Sequence, residues 1–191
     1  MEEHWRHYER AFEEYLRVRG VAFVGVDEAR RAMGACGDAR SETPEGIKYF
    51  DFVVYAPAGS LLVELKGRRI VARGGMRGAP GQRPTLQNWT TREDLASLKA
   101  WRSLFGPGFE PVVVFAYWCD DLPPEALYEE MFEHGGRWYA LRSIRLDDYV
   151  AAMRARSERW GTVHLSRSDF DRLSRPFLPG AVRVGGQCAA P

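Results

Sequence analysis

Three residues of this chain have the types and the spacing to hold a hard divalent cation and aim a water molecule: Asp51, Glu64 and Lys66. Glu64 and Lys66 stand in Leu61-Leu62-Val63-Glu64-Leu65-Lys66-Gly67-Arg68, a short apolar run that predicts a buried strand. Side chains alternate across a strand, so Leu61, Val63 and Leu65 share one face, and Leu62, Glu64 and Lys66 the other. An acid and an amine thus lie side by side on a core strand, where charge is costly unless paired or bound to a metal. Asp51 lies within residues 47–55, a second run rich in aromatic and β-branched residues that also predicts a strand. Residues 56–60 read as a turn, and an antiparallel hairpin in simple register brings Asp51 near Glu64. Two carboxylates plus a strand carbonyl are the hard oxygen ligands that Mg²⁺ prefers. Lysines occur only at 48, 66 and 99 among 27 basic residues. Arginine is this chain's usual cation, yet position 66 takes the amine that can shift its pKa and so position or deprotonate water.

The elements that must carry these residues follow from periodicity. Residues 2–19 predict a helix with Trp5, Tyr8, Phe12, Tyr15 and Leu16 on one stripe, stopped at Gly20. Glu9 falls inside that stripe, which is unusual for a plain core helix; its alternative is a rim pairing with an arginine. His7 projects to the far side and reads as a solvated or packed surface residue, as does His4. Residues 21–27 predict the first strand, and 28–46 a long loop leading to Asp51. Lys48, three residues before Asp51, is placed either to touch phosphate or as an ordinary edge lysine. Thr90 and Glu93 fit a capping box opening a second helix with Leu95, Leu98 and Phe105 inward, ended by Gly106-Pro107. Residues 111–118 form a continuous apolar strand suited to a sheet centre. The order is αβββαβ.

The arrangement Asp51…Glu64-x-Lys66 resembles the signature of the PD-(D/E)XK nuclease superfamily, with Phe50 in place of the proline of that name. Glu9, eleven residues before Gly20 and followed by Val21-Ala22-Phe23-Val24, resembles the opening of archaeal Holliday-junction resolvases. His7-Tyr8-Glu9-Arg10-Ala11-Phe12-Glu13 resembles the signature of the little-characterised bacterial HYExAFE family. The resemblance to the nuclease core spans residues 5 to 118. It implies an α/β, restriction-endonuclease-like fold with a mixed sheet, and a DNA endonuclease active on branched or duplex DNA. It further implies Mg²⁺ or Mn²⁺ held by Glu9, Asp51 and Glu64, catalysis by Asp51, Glu64 and Lys66, and a homodimer if two strands of a junction are cut. The alternatives are a nuclease-fold module that binds nucleic acid without cutting it, a nuclease acting on RNA or a duplex site, and a structural role.

With 191 residues and 45% hydrophobic content, one domain is expected: a core over 1–118 and an extension over 119–191. A net charge of +1 gives no global basicity, so nucleic-acid contact must be local. Residues 67–83 supply it: Arg68, Arg69, Arg73, Arg77 and Arg83 occur with no acid between Glu64 and Glu93, five glycines make the stretch pliable, and Arg68 to Val71 reads as the start of a strand continuation. Lys48, Arg68, Arg69 and Arg73 are the expected phosphate contacts. Gln87, Asn88 and Trp89 could face the substrate, although a tryptophan there is more often a packing residue. Cys36, Cys119 and Cys188 are scattered, which suggests a reducing, cytoplasmic setting and no zinc site. No signal peptide or membrane span is expected. In the extension, Gly135-Gly136 predicts a hairpin. Leu146 to Trp160 predicts a helix exposing arginines 154, 156 and 159 as a partner surface, and Phe170 to Leu173 a short helix.

Overall fold

The computed structural model describes residues 3–26, 47–57, 59–70, 86–119 and 131–178, with side chains from residue 6 onward. Helix α1 spans Glu3–Val18. Strands β1 (Ala22–Gly25), β2 (Phe52–Ala56) and β3 (Gly59–Arg69) follow, then a short β4 (Thr90–Thr91), helix α2 (Arg92–Phe105) and β5 (Phe109–Cys119). The rest comprises β6 (Phe132–His134), β7 (Arg137–Arg145), α3 (Leu146–Ala152), β8 (Arg154–Ser157), β9 (Thr162–His164), α4 (Arg167–Leu173) and β10 (Arg175–Pro176). Setting aside the short β4, which lies outside the main sheet, this is the αβββαβ order expected of a restriction-endonuclease-like core. The main sheet runs β1-β2-β3-β5-β7-β10, with β6 on β7. It is mixed: β3 and β5 pair in parallel, and every other neighbouring pair is antiparallel. Parallel neighbours need a long crossover, and α2 lies within it.

Each face of the sheet has its own core. Phe12 and Leu16 of α1 pack on Val54, Leu61, Val63, Val112 and Val114. Leu95 and Leu98 of α2 pack with Leu62, Val113, Phe115, Ile144, Tyr149 and Phe170 on the other side. The α1 stripe is as expected, with Tyr8, Phe12, Tyr15 and Leu16 buried. Strand β7, from the extension, pairs with β5 in the same sheet.

Four local expectations change. Helix α2 starts at Arg92, because Thr91 rather than Thr90 is its N-cap and Asp94 rather than Glu93 closes the capping box. The helix expected over 146–160 stops at Ala152. Residues 154–157 pair instead with 162–164, and Gly161 (φ 55°) lies in the tight turn between them. Tertiary pairing here overrides local period. Helix α4 begins at Arg167, capped by Ser166, whose hydroxyl accepts from the Asp169 N–H. Gly67 is not part of a pliable loop but lies within β3. The Gly135-Gly136 hairpin forms as expected, both glycines at positive φ. Among the described residues no helix is long and apolar enough to cross a membrane.

Candidate active site

The β2–β3 ladder pairs Phe52 with Val63, so the next step of the register sets Asp51 opposite Glu64. The Asp51 N–H still donates to the Val63 carbonyl (3.0 Å), one residue beyond the end of β2. Its side chain then turns into the opening between the strands, where the Leu65 N–H donates to the carboxylate at 2.6 Å. Glu64 is 5% exposed. Burial first, and then the charges of Glu64 and Glu9, push the Asp51 carboxyl well above the ordinary carboxylate range; the Leu65 N–H and Lys66 pull the other way. Burial likewise raises Glu64, against the pull of Lys66, and Asp94 adds to the rise. Glu9, half-buried on α1, is therefore close enough for Asp51 to feel its charge.

Lys66 lies between two carboxylates. Its ammonium is 2.7 Å from Glu64 Oε1 and 2.7 Å from Asp94 Oδ2. Burial alone lowers a lysine pKa, but these two charges outweigh it and raise the value. Lys66 is thus a firmly protonated donor here, not a poised base. Asp94 is the residue that sequence reasoning passed over. It stands at the third position of α2, where helix N-terminal amides favour a carboxylate. It accepts from the Thr90 hydroxyl (3.1 Å) and the Thr91 N–H (3.4 Å), and it pairs with both Lys66 and Lys48. Burial pushes its carboxyl up, yet the two lysines win and hold it well below the ordinary range. The Thr91…Asp94 spacing was the available signal: an acid at that position can cap its helix and face the sheet at once.

The expected phosphate contacts separate. Lys48 is half-exposed, with its ammonium on Asp94. Arg68 is buried, contrary to an outward role. It donates to the Gly67 carbonyl at 2.7 Å and to the Trp89 carbonyl, and its guanidinium lies 4.0 Å from the Trp89 ring centroid. Alternation along β3 puts position 68 on the inner α2 face. Arg69 is exposed, over Trp118. Arg73 lies outside the described residues, as do Arg77, Arg83, Cys36 and Cys188.

In the segment before α2, Gln87 is exposed, while Asn88 and Trp89 are scaffolding. Asn88 is buried and exchanges hydrogen bonds with Leu165, and Trp89 lies between Arg68 and Arg156. His7 is half-buried, not solvated: Nδ1 is 2.9 Å from the Tyr139 hydroxyl and the ring stacks near Tyr8.

Among the described residues no three His, Cys, Asp or Glu side chains are grouped to hold a metal ion. Glu9, Asp51 and Glu64 share one electrostatic neighbourhood without closing a three-ligand shell, because Glu64 turns to Lys66 and Asp51 to the Leu65 amide. The donor chemistry nevertheless suits a hard divalent cation. Two buried carboxyls that resist ionisation beside each other are relieved by a positive charge, and their oxygens are the ligands such a cation takes.

No protein-family model matches the chain, and no curated protein matches it. The N-terminal resemblance to the HYExAFE family therefore gains no support. Among solved structures, the chain is similar to a Holliday junction resolvase, Hjc, of the archaeal hyperthermophile Archaeoglobus fulgidus. The TM-score is 0.48 with 17% sequence identity, over 88% of this chain and 93% of the resolvase. A likeness at that level carries no argument about activity.

Proposed function

We propose that this chain is a metal-dependent DNA endonuclease of the PD-(D/E)XK kind. The observation that carries the reading is the buried juxtaposition of Asp51, Glu64 and Lys66 where β2 and β3 part. Asp51 and Glu64 would hold Mg²⁺ or Mn²⁺, with Glu9 as the third carboxylate. Such an ion supplies Lewis-acid stabilisation of the charge that grows on a phosphate under attack. Lys66, protonated, orients the attacking water or a phosphate oxygen by donation; its two ion pairs fix where the ammonium points. Lys48 and Arg69, both exposed, would meet the phosphate backbone. Branched DNA is the substrate implied by the resemblance of the Glu9 segment to junction resolvases, and a dimer would follow from cutting two strands.

A non-catalytic, nucleic-acid-binding module is the second reading. It is favoured by Lys66 being held on both sides by carboxylates, which leaves one N–H of its ammonium for any other acceptor.

The test is incubation of the purified protein with labelled four-way junction, flap, duplex and single-stranded DNA, and with RNA, in Mg²⁺, Mn²⁺ or chelator. Metal-dependent cutting that disappears in both Lys66→Met and Asp51→Asn is expected, with metal affinity by titration calorimetry falling only in Asp51→Asn. Tight binding with no cutting under any metal would leave the second reading standing.

A further inference from the structure

Away from this site the described molecule leaves one large aromatic side chain mostly in water. Trp160 is 69% exposed, within the turn joining β8 to β9. The Arg159 guanidinium lies 5.2 Å from its ring centroid. Arg156, also exposed, lies 4.9 Å from the Trp89 ring centroid.

The arginines around the turn divide into two kinds. Arg154 and Arg172 pair with Asp169, and Arg167 with Asp171. Glu158, the carboxylate nearest the turn, is taken by Arg92 at 3.5 Å. Among the described residues, Arg156 and Arg159 have no carboxylate partner. Residues 154–175 hold six arginines against three carboxylates, so the local surface is positive although the whole chain is nearly neutral.

The hairpin is firmly rooted. Val163 is fully buried, its carbonyl accepts from the Tyr149 hydroxyl at 3.2 Å, and β9 pairs with Thr90 and Thr91 of β4. The Arg92 N–H donates to the Gly161 carbonyl at 2.9 Å. Those same threonines donate to the carboxylate of Asp94, Thr90 through its hydroxyl and Thr91 through its N–H, so the arm rises from the edge of the candidate site. An exposed indole beside one uncompensated guanidinium group, with a second on the same hairpin, is the recognition chemistry of an unpaired nucleotide. The ring offers a face on which any base can stack, and the cations meet the phosphates on either side. An intact duplex offers phosphates but no free base face.

We propose that the β8–β9 hairpin is a nucleic-acid-binding arm, in which Trp160 stacks on an unpaired base and Arg156 and Arg159 contact the adjoining phosphates. The proposal rests on the nuclease reading only for the choice of a polynucleotide as the anion.

The experiment is fluorescence anisotropy of the full chain with labelled oligothymidine and with a labelled duplex, in chelator so that cutting plays no part. Trp160→Ala should weaken single-strand binding about tenfold and duplex binding far less, and Trp160→Phe should restore most of the loss. Arg159→Ala, and Arg156→Ala with it, should weaken both ligands and lower the slope of log affinity against log salt by about 0.7 to 0.9 per arginine. The Arg159 guanidinium lies against the exposed Trp160 ring, so its single variant stays informative if Arg156→Ala disturbs Trp89. Unchanged affinity and slope in these variants would overturn the arm. So would a wild type that binds neither ligand, or a Trp160→Ala protein that changes oligomeric state by light scattering while binding as before. The nuclease reading fails separately, by the absence of cutting in metal, and that result leaves these binding measurements untouched.

Discussion

The two faces of strand β3 are built from one run of sequence and are both shielded from water, yet they solve burial in opposite ways. Toward α1 the strand presents Leu61, Val63 and Leu65, and then Gly67, onto whose backbone the Tyr8 ring is laid. Toward α2 it presents Leu62, Glu64, Lys66 and Arg68. Each of the last three is matched by a specific partner: Lys66 joins Glu64 to Asp94, and Arg68 reaches the Trp89 carbonyl. The first face is held by shape and the second by pairing. A chain tolerates buried charge only where a partner is fixed in advance, and here the partners come from the segment that starts α2.

Substitutions at five positions would break or sharpen that contrast, from the largest effect down. Asp94→Ala removes the shared partner of two lysines and should cost about 3–5 kcal/mol in urea unfolding, as loss of one member of a buried pair does. Asp94→Asn, which can keep the cap, should cost less. The sign with pH follows from the lowered Asp94 value. Its contribution is present above the unfolded pKa of about 3.9 and is lost as pH falls through the folded one. The wild type should therefore have an acid limb that Asp94→Asn reduces.

Gly67→Ala probes the face held by shape. An added Cβ would meet Tyr8 Cδ2 at 2.3 Å and Cγ at 2.5 Å, the inner end of a ring that cannot swing aside. The Tyr8 hydroxyl also accepts from Trp118 Nε1 at 2.8 Å. An overpacking cost of about 1–3 kcal/mol is expected, with no change in pH dependence.

Asp51→Asn should act in the opposite direction, stabilising the metal-free protein by about 1 kcal/mol at neutral pH. Because burial and Glu64 raise the Asp51 value, folding holds its proton more tightly than the unfolded chain does. Metal-free wild type should lose stability as pH rises from about 3.9 through the folded pKa, and the variant should not. Thermal melts across pH would read this.

The smallest effect separates two capping assignments. Thr91→Ala should cost about 1 kcal/mol. Glu93→Ala, at an exposed position, should stay within about 0.5 kcal/mol.

Much of the first face, and half of the second, was legible in the sequence. Alternation in Leu61 to Lys66 and the helical stripe of α1 fixed which residues meet the sheet, because apolar period and burial are the same signal. Asp51 opposite Glu64 followed from hairpin register. Asp94 did not follow, because its role depends on the crossover helix landing beside Lys66, and nothing local encodes that contact. Arg68 was misassigned for a related reason: the strand continuation from Arg68 was legible, but the arginine-rich and glycine-rich composition made the side chain look like an outward phosphate contact. The arginines at 154, 156 and 159 were seen as a surface but set on a helix. The period of Tyr149, Met153 and Trp160 mimics one, and only the hairpin pairing with Thr162–His164 breaks it.

The parallel pairing of β3 with β5 has a consequence for how the chain is made. Ser60 meets Phe109 and Arg69 meets Trp118, each pair 49 residues apart. At typical synthesis rates, β3 emerges roughly 3–10 s before the strand that will cover its open side. In that interval the future centre of the sheet is an exposed edge, open to pairing with another nascent chain. Glu64 and Lys66 interrupt its apolar run, and charges within such an edge oppose association. A double replacement by leucine should therefore lower the soluble yield on expression, even where the purified folded protein is no less stable.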